Sequence, residues 1–441
     1  MKLIKNLIYS CLLSFLFGCN ENNSFGQTEI TKWKYDKKGA ISITYDDGNI
    51  NQFKNAMPVM DRLGLPGTFF IVTGEVPGSQ YRPKFIGRPA EEIIKETATI
   101  PTNKENFFER ASAVGYLGYK GTLDFHFKAG SLFEAGKINE AYKIIDDAYA
   151  NVRAGKFSRG KDTSWEAAQS SANTWDDFKR YAAKGHEFGS HTITHPRLAV
   201  LDEPNMLYEL EKSKEDIISH MGAEFTFSAE CPFGTEDERV MEYAHKIYPS
   251  LRNRMPESFL EELNRGNKKT PGSSDKEYVQ WQRGAVSRVP MNTLESWVDT
   301  VTAHNNIWLV LVFHGVDGIG WEPRTTSDLQ TYFEYIKKQD DKVWVATFGN
   351  VTKYMRERMN AKLSNTKNGD KIMINLAHNL DSKIYDNELT LKTYISTEWK
   401  TAQVKQDGKI QTVKLNKDGK GNFILYEAKP NMGTIEISKA S

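Results

Sequence analysis

"GAISITYDDG", Gly39–Gly48, is the stretch whose reading decides the fold. An apolar run of strand length ends in two adjacent acids and a glycine, where the chain should turn. Two ionised carboxylates side by side repel, so the pair calls for a proton, a cation or solvent. Asp-Gly is also a common turn signal, and as a turn alone it would simply be solvated. Working outward, similar runs recur as "GTFFIVTG" (67–74), "HEFGSHT" (186–192), "TFSAECPFG" (226–234), "GAVSRVPM" (284–291), "WLVLVFHG" (308–315) and "VWVATFGN" (343–350). Between them lie helical patterns. One runs from Pro204 to Gly222, with Leu207, Leu210, Ile217, Ile218 and Met221 at helical spacing, and others start near Thr235, Thr293, Thr325 and Asn350. Alternating strand and helix predicts an α/β fold on a parallel sheet, either doubly wound or closed into a barrel. Chemistry gathers at the C-terminal ends of such strands, where "TYDDG", "HTITH", "CPFG" and "FHG" all fall.

The chain has 441 residues, 39% hydrophobic and 26% charged, enough for one large domain and a smaller one. Its 58 basic and 57 acidic residues nearly cancel, which removes the electrostatic case for a nucleic-acid partner and makes a neutral partner the default. Residues from about 76 to 172 read as a helical insertion, too long for an ordinary connection. After the polar stretch "SNTKNGD", Ser364–Asp370, short alternating runs with Asp407-Gly408 and Asp418-Gly419 turns predict a small all-β sandwich over 371–441.

The opening "MKLIKNLIYSCLLSFLFGCN" places Lys2 and Lys5 before an uncharged apolar stretch, Leu7 to Phe17, that is too short to span a bilayer. It reads as an export signal over residues 1–19. The ending "LFGC" resembles a bacterial lipoprotein signal, which implies a lipid on Cys19, membrane attachment in the cell envelope and a polar tether over 20–34. A plain secretory leader is the alternative. Of the Cys residues only Cys231 lies outside the leader, so no disulfide forms within the mature chain.

His191 and His195, in "GHEFGSHTITH", are four positions apart. On one helical turn both imidazoles would face the same way and could share a metal; as unrelated core or surface residues they would not. A carboxylate added to two histidines makes a three-ligand site with an open position, suited to hydrolysis. His186 lies outside the pair and reads as structural.

Taken together, "TYDDG", "HTITH" and "LVLVFHG", in this order and on these elements, resemble the metal-dependent polysaccharide deacetylase family. The resemblance covers residues 35 to about 363 with the insertion left out. It implies a distorted (β/α) barrel of about seven strands and removal of acetyl groups from an acetylated glycan, N- or O-linked. It also implies that Asp47 joins His191 and His195 on a divalent metal, Zn by ligand type with Co or Ni as substitutes. Asp46 would be general base, the backbone NH of Phe233 an oxyanion donor, and His314 the acid for the leaving group. Trp321, just past His314, is placed to stack on a sugar ring, whereas Trp297 reads as core.

The match departs from the family at Glu230 in "ECPFG", where an Arg that pairs with the catalytic acid is expected. A carboxylate there would raise the Asp46 pKa unless a cation arrives from elsewhere, and Arg252, Arg254, Arg283 and Arg288 are all candidates. The acid that would orient His314 is equally open between Glu295 and Asp299. A glycan-binding protein without turnover is the rival reading.

Overall fold

A computed structural model describes residues 24–170, 173–284 and 286–440. The export signal, Cys11 and Cys19 lie outside the described residues. Among the described residues two compact units emerge: one holds Thr31–Ala361 and His378–Thr390, the other residues 24–30, Lys362–Ala377 and 391–440.

In chain order the first strands are β1 (Thr28–Ile30), β2 (Gly39–Tyr45), β3 (Gly67–Ile71), β4 (Glu187–Ser190) and β5 (Ser228–Ala229). They are followed by β6 (Ser250–Leu251), β7 (Leu260–Leu263), β8 (Tyr278–Arg283), β9 (Ile307–Phe313) and β10 (Val343–Val345). In the larger unit the sheet runs β6-β5-β4-β3-β2-β9-β8-β7 with β10 also on β2, and every pairing is parallel. One edge of β2 is shared: β10 takes Gly39–Ile41 and β3 takes Ile43–Tyr45.

The strands β2, β3 and β9 are buried along their whole length, as continuous apolar runs covered on both faces must be. Alternate residues go to opposite faces. Ile41, Ile43 and Tyr45, with Leu309, Leu311 and Phe313, join the core under the helices Met57–Leu63, Met291–Ala303 and Thr326–Lys337. Ala40, Trp308, Val310 and Val312 instead meet Phe348, Val351 and Met355 of the helix Phe348–Asn360. Side-chain caps start these elements where expected: Asp202, Asp237, Thr325 and Thr347 each accept from the NH three residues on.

The expected barrel is an open one. Among the described residues no strand pairing joins β6 to β7, and side chains bridge the gap instead: Gln282 Nε2 donates to the Arg252 carbonyl at 2.7 Å and to Asn264 Oδ1 at 2.9 Å. "GAVSRVPM" forms no strand among its described residues. Arg324 Nη1 donates to the carbonyls of Val286 (2.6 Å) and Val289 (2.7 Å), holding a turn, and the strand is the preceding "YVQWQR" of β8. "HTITH" is not a helical turn. Thr192 and His195 have φ of 69° and 59°, and Glu209 takes the NH groups of Ile193 and Thr194, each at 2.9 Å, which no helix of this chain could then use.

Between β3 and β4 the helices Ala90–Glu96, Phe107–Ala113, Leu123–Glu134 and Ile138–Arg153 pack around their own core of Phe107, Val114, Ile145 and Tyr149, and the short helix Trp165–Ser170 follows them. This segment meets "HTITH" and "TYDDG" directly: Ser164 Oγ donates to the Thr194 carbonyl at 3.0 Å and Asn173 Nδ2 to the Gly48 carbonyl at 3.1 Å.

The smaller unit continues with β11 (Lys362–Asn368), β12 (Lys371–Ala377), β13 (Leu389–Tyr394), β14 (Thr401–Gln406), β15 (Lys409–Asp418), β16 (Gly421–Ala428) and β17 (Ile435–Lys439). They lie in one hydrogen-bonded order, β1-β13-β16-β15-β14-β17-β12-β11. Asp407-Gly408, with φ of 48° and 77°, makes the two-residue hairpin between β14 and β15. Two boundaries differ from the sequence reading. Thr28–Ile30, within the stretch read as tether, pairs antiparallel with Leu391–Thr393, and Ser364–Asn368, read as a separator, is strand β11 paired with β12. Both stretches are polar because they are exposed strands, and polarity alone does not distinguish these from loops.

Candidate active site

Five strands of the larger unit each release a chemically active residue at the first position past their C-terminal end: Asp46 after β2, His191 after β4, Glu230 after β5, Arg252 after β6 and His314 after β9. Parallel strands end on the same side of a sheet, so these residues, 268 positions apart in the chain at the extremes of Asp46 and His314, converge on one cleft. Trp321 and Phe233 stand at the cleft as its most exposed aromatic walls, 45% and 37% accessible.

Asp46 is held by a buried fork. Arg252 Nη1 and Nη2 donate to its two oxygens at 2.7 and 2.6 Å, and Nη1 also reaches Thr44 Oγ1 at 2.8 Å. Burial pushes the Asp46 carboxyl up, but Arg252 and then His314 outweigh it and hold it below the usual carboxylate range. Of the four candidate arginines, Arg252 is thus the one that meets Asp46. The same guanidinium lies 3.0 Å from Glu230 Oε1, so the unexpected carboxylate at 230 is neutralised rather than set against Asp46.

The other oxygen of Glu230 has a different partner. His191 Nδ1 is 2.9 Å from Glu230 Oε2 and 2.9 Å from the Glu230 carbonyl. Both are acceptors, so Nδ1 carries a proton and Nε2 is the nitrogen left to meet a metal. Nε2 is 3.6 Å from Asp47 Oδ1, and His195 Nε2 is 3.4 Å from the same oxygen. Among the described residues neither Asp47 oxygen has a hydrogen-bond partner, although the residue is buried. Asp47, His191 and His195 bring one carboxylate oxygen and two imidazole nitrogens to one point, an arrangement that a cation satisfies. Without a cation, burial pushes Asp47 up to about 8, and Glu230, against the effect of burial, draws His191 up to about 9. The donor set, two imidazoles and a carboxylate, fits Zn and related divalent ions.

His195 has a second neighbour from the insertion: Glu166 Oε2 is 3.7 Å from Nδ1. No feature of the sequence around Trp165–Ser170 marks it. His314 Nε2 lies 3.3 Å from Asp46 Oδ2, and burial, with Arg265 and Arg252 nearby, draws its pKa down to about 4 despite Asp46. Its backbone is tied to the first motif, because Gln52 Nε2 donates to the His314 carbonyl at 2.8 Å and also to the Asp46 carbonyl. Neither Glu295 nor Asp299 orients it; Asp299 Oδ1 instead accepts from Tyr335 OH at 2.6 Å on the surface. Trp321 packs edge-on to the His314 ring at 4.7 Å, and Trp297 packs against the core. Phe233, at φ 63° in the turn Pro232–Gly234, lies 4.7 Å from the His195 ring and beneath the Arg197 guanidinium at 4.1 Å. His186, away from the cleft, accepts from the Gly67 NH at 3.0 Å and meets Asp61 at 2.9 Å.

Residues 149–266 match the family model described as polysaccharide deacetylase. That stretch holds His191, His195, Glu230 and Phe233, and excludes Asp46, Asp47 and His314. A curated relative, a gellan lyase of Bacillus sp, is 27% identical over 320 residues, 66% of this chain; the chain spans only 12% of that protein's length. Similar solved structures include the peptidoglycan deacetylase PdaC from Bacillus subtilis, 12% identical with TM-score 0.33 over 74% of this chain and 94% of that one. A family 4 carbohydrate esterase from Bacillus anthracis is 11% identical, with TM-score 0.33 over 74% of this chain and 86% of that one.

Proposed function

We propose that this chain is a metal-dependent hydrolase that removes acetyl groups from a glycan. The observation that carries the reading is the convergence of Asp47, His191 and His195, with both Asp47 oxygens buried and unpartnered, beside the Asp46–Arg252 fork. The match of residues 149–266 to the polysaccharide deacetylase model supports the substrate class. Lyase chemistry is not carried over from the gellan-named relative, since seven-eighths of that protein lies outside the match.

Asp47, His191 and His195 would hold the divalent ion, Zn by ligand type, which supplies Lewis-acid polarisation of the acetyl carbonyl and of the attacking water. Asp46, kept ionised by Arg252, accepts a proton from that water as its oxygen bonds to the acetyl carbon. Such a carboxylate is a weak base, so its contribution comes from fixed position more than from proton affinity. His314, neutral at pH 7, is 3.3 Å from the same Asp46 oxygen and receives that proton on Nε2. It then delivers the proton to the departing sugar nitrogen or oxygen as the bond to the acetyl carbon breaks, releasing acetate. The Phe233 NH donates to the carbonyl oxygen as negative charge develops there. Trp321 offers a face for the sugar ring.

Acetate release across a panel of N- and O-acetylated glycans, with and without chelator, is the test. Chelator-sensitive release supports the reading. No acetate from any glycan that the Zn-loaded protein demonstrably binds would leave a binding protein in its place. Export and anchoring through Cys19 belong to the same proposal, and Cys19→Ser should move the protein from membrane to soluble fractions. Equal partition of the two forms would make the leader a plain secretion signal.

A further inference from the structure

The balanced net charge points to a neutral ligand, but the cleft is not locally balanced. Two arginines, Arg197 and Arg265, line it, and a third, Arg252, is buried behind Asp46. Arg252 is spent on Asp46 and Glu230, and Arg197 on Glu134, which its Nη1 meets at 2.6 Å. Arg265, two residues past the end of β7, makes no hydrogen bond or ion pair with any described residue, although it lines the cleft with His314, Phe233 and Trp321. Its side chain is also given room on purpose. A Cβ at Gly234 would stand 2.7 Å from Arg265 Nη2, and one at Gly284 would stand 2.7 Å from its Cδ. Two glycines on different loops therefore admit the guanidinium to a place beside the Phe233 turn, where a larger residue at either position would push it away.

An arginine held at half burial with no acid to meet it leaves an anion-binding fork unfilled, and the planar guanidinium suits a carboxylate in two parallel bonds. We propose that Arg265 is a substrate-binding residue that recognises a carboxylate on the glycan, so that the preferred substrates are acetylated chains containing uronic acid. This rests on the deacetylase reading for the acetyl group, and not for the acid. The residue lines the same cleft as His314, whose ring its charge reaches, so the acid belongs to the acetylated sugar or its immediate neighbour.

Binding is read first, apart from turnover, by calorimetry of the full Zn-loaded protein with unacetylated oligoglucuronate and with the same oligosaccharide after carboxyl reduction. The native protein should bind the acid form more tightly, and Arg265→Gln should weaken that binding by about tenfold to a hundredfold while changing the reduced form by less than about twofold. Arg265→Lys, which keeps the charge and loses the fork, should fall between them. Unchanged Zn content and melting temperature in both variants establish that the fold is intact. With acetylated substrates the Arg265→Gln effect on KM should be confined to the acid form, while any change in kcat from the loss of a charge near His314 should be the same on acid and reduced forms. Equal losses on acid and reduced glycans would overturn the proposal, because Arg265 would then serve the common sugar or the reacting carbonyl. Loss confined to sulfated oligosaccharides would overturn the carboxylate assignment. If Arg265-dependent binding of oligoglucuronate holds while no glycan yields acetate, the deacetylase reading fails and this inference stands.

Discussion

Removing the guanidinium that joins Asp46 to Glu230 should cost both stability and the shape of the pH response. Arg252→Met keeps most of the stem's volume but leaves two buried carboxylates, 1% and 3% accessible, facing each other without a cation. Breaking a buried pair on one side costs about 3–5 kcal/mol, and at roughly 2–4 °C per kcal/mol the melting point should drop by roughly 6–20 °C at pH 7. In the native protein Asp46 is depressed, so its contribution is present above the pKa of the unfolded chain and is lost only as the pH falls through the lower folded value. Without Arg252, burial and Glu230 push Asp46 the other way, and the variant's carboxylate then favours the folded state only when protonated. The stability deficit should therefore be largest at pH 7 to 8 and shrink toward pH 4. Adding Glu230→Gln to the variant removes one of the stranded charges and should recover about half the loss. Thermal melts from pH 4 to 8, with metal content checked in each sample, measure all three forms. An Arg252→Met protein as stable as the native one at pH 7, with no change in its pH profile, would refute the electrostatic account of the site.

Asp46→Asn should retain metal, because Asp47 still ligates, while turnover falls by something like two to four orders of magnitude; loss of metal would mean that the two acids exchange roles. The His191→Ala, His195→Ala double variant should come through dialysis without Zn, and undiminished metal content would eliminate the site. Above about pH 6.5, where the histidines with lowered pKa no longer titrate in either state, chelated native protein should lose stability as the pH rises toward 8, since Asp47 is pushed up to about 8, and Zn should restore it; a metal-free melting point that climbs from pH 6.5 to 8 contradicts the assignment. His314, drawn down to about 4, should shape the acid side of the rate profile, with His314→Ala hurting amides more than esters. An alkaline limb that vanishes in His314→Ala would show that the residue rests protonated instead.

What could be read from the sequence was local. The "TYDDG" acids, the two histidines and His314 each sit where an apolar run ends, and parallel strands bring such ends together without any further instruction. The helical turn expected for "HTITH" fails for a reason no short window contains: Glu209, on the following helix, takes the NH groups that a helix would need. Arg252 could be named only among four because its partner Asp46 is 206 residues away. Glu230, read alone, looks like a defect, and becomes a support for His191 only once Arg252 is beside it. Glu166 and Arg265 carry no local signal, the first arriving from an insertion and the second from a loop, where its side chain fits beside two glycines, Gly234 and Gly284. In "GAVSRVPM" the apolar residues suggest a strand, and the turn is set by Arg324, more than thirty residues downstream.

Asp47, Thr192, His195 and Phe233 share an unusual trait, a left-handed backbone at a residue that is not glycine, with φ between 59° and 73°. Each such placement costs on the order of 1 kcal/mol or more relative to glycine, so the residues of this site hold local strain that the surrounding strands must offset. A laboratory selection for heat resistance alone would find gains there, by glycine or asparagine, sooner than in the close-packed strands around it. Thermostabilised descendants should therefore be sequenced at these four positions before their activity is interpreted, because the mutations that make the protein easiest to handle are those that would dismantle it as a catalyst.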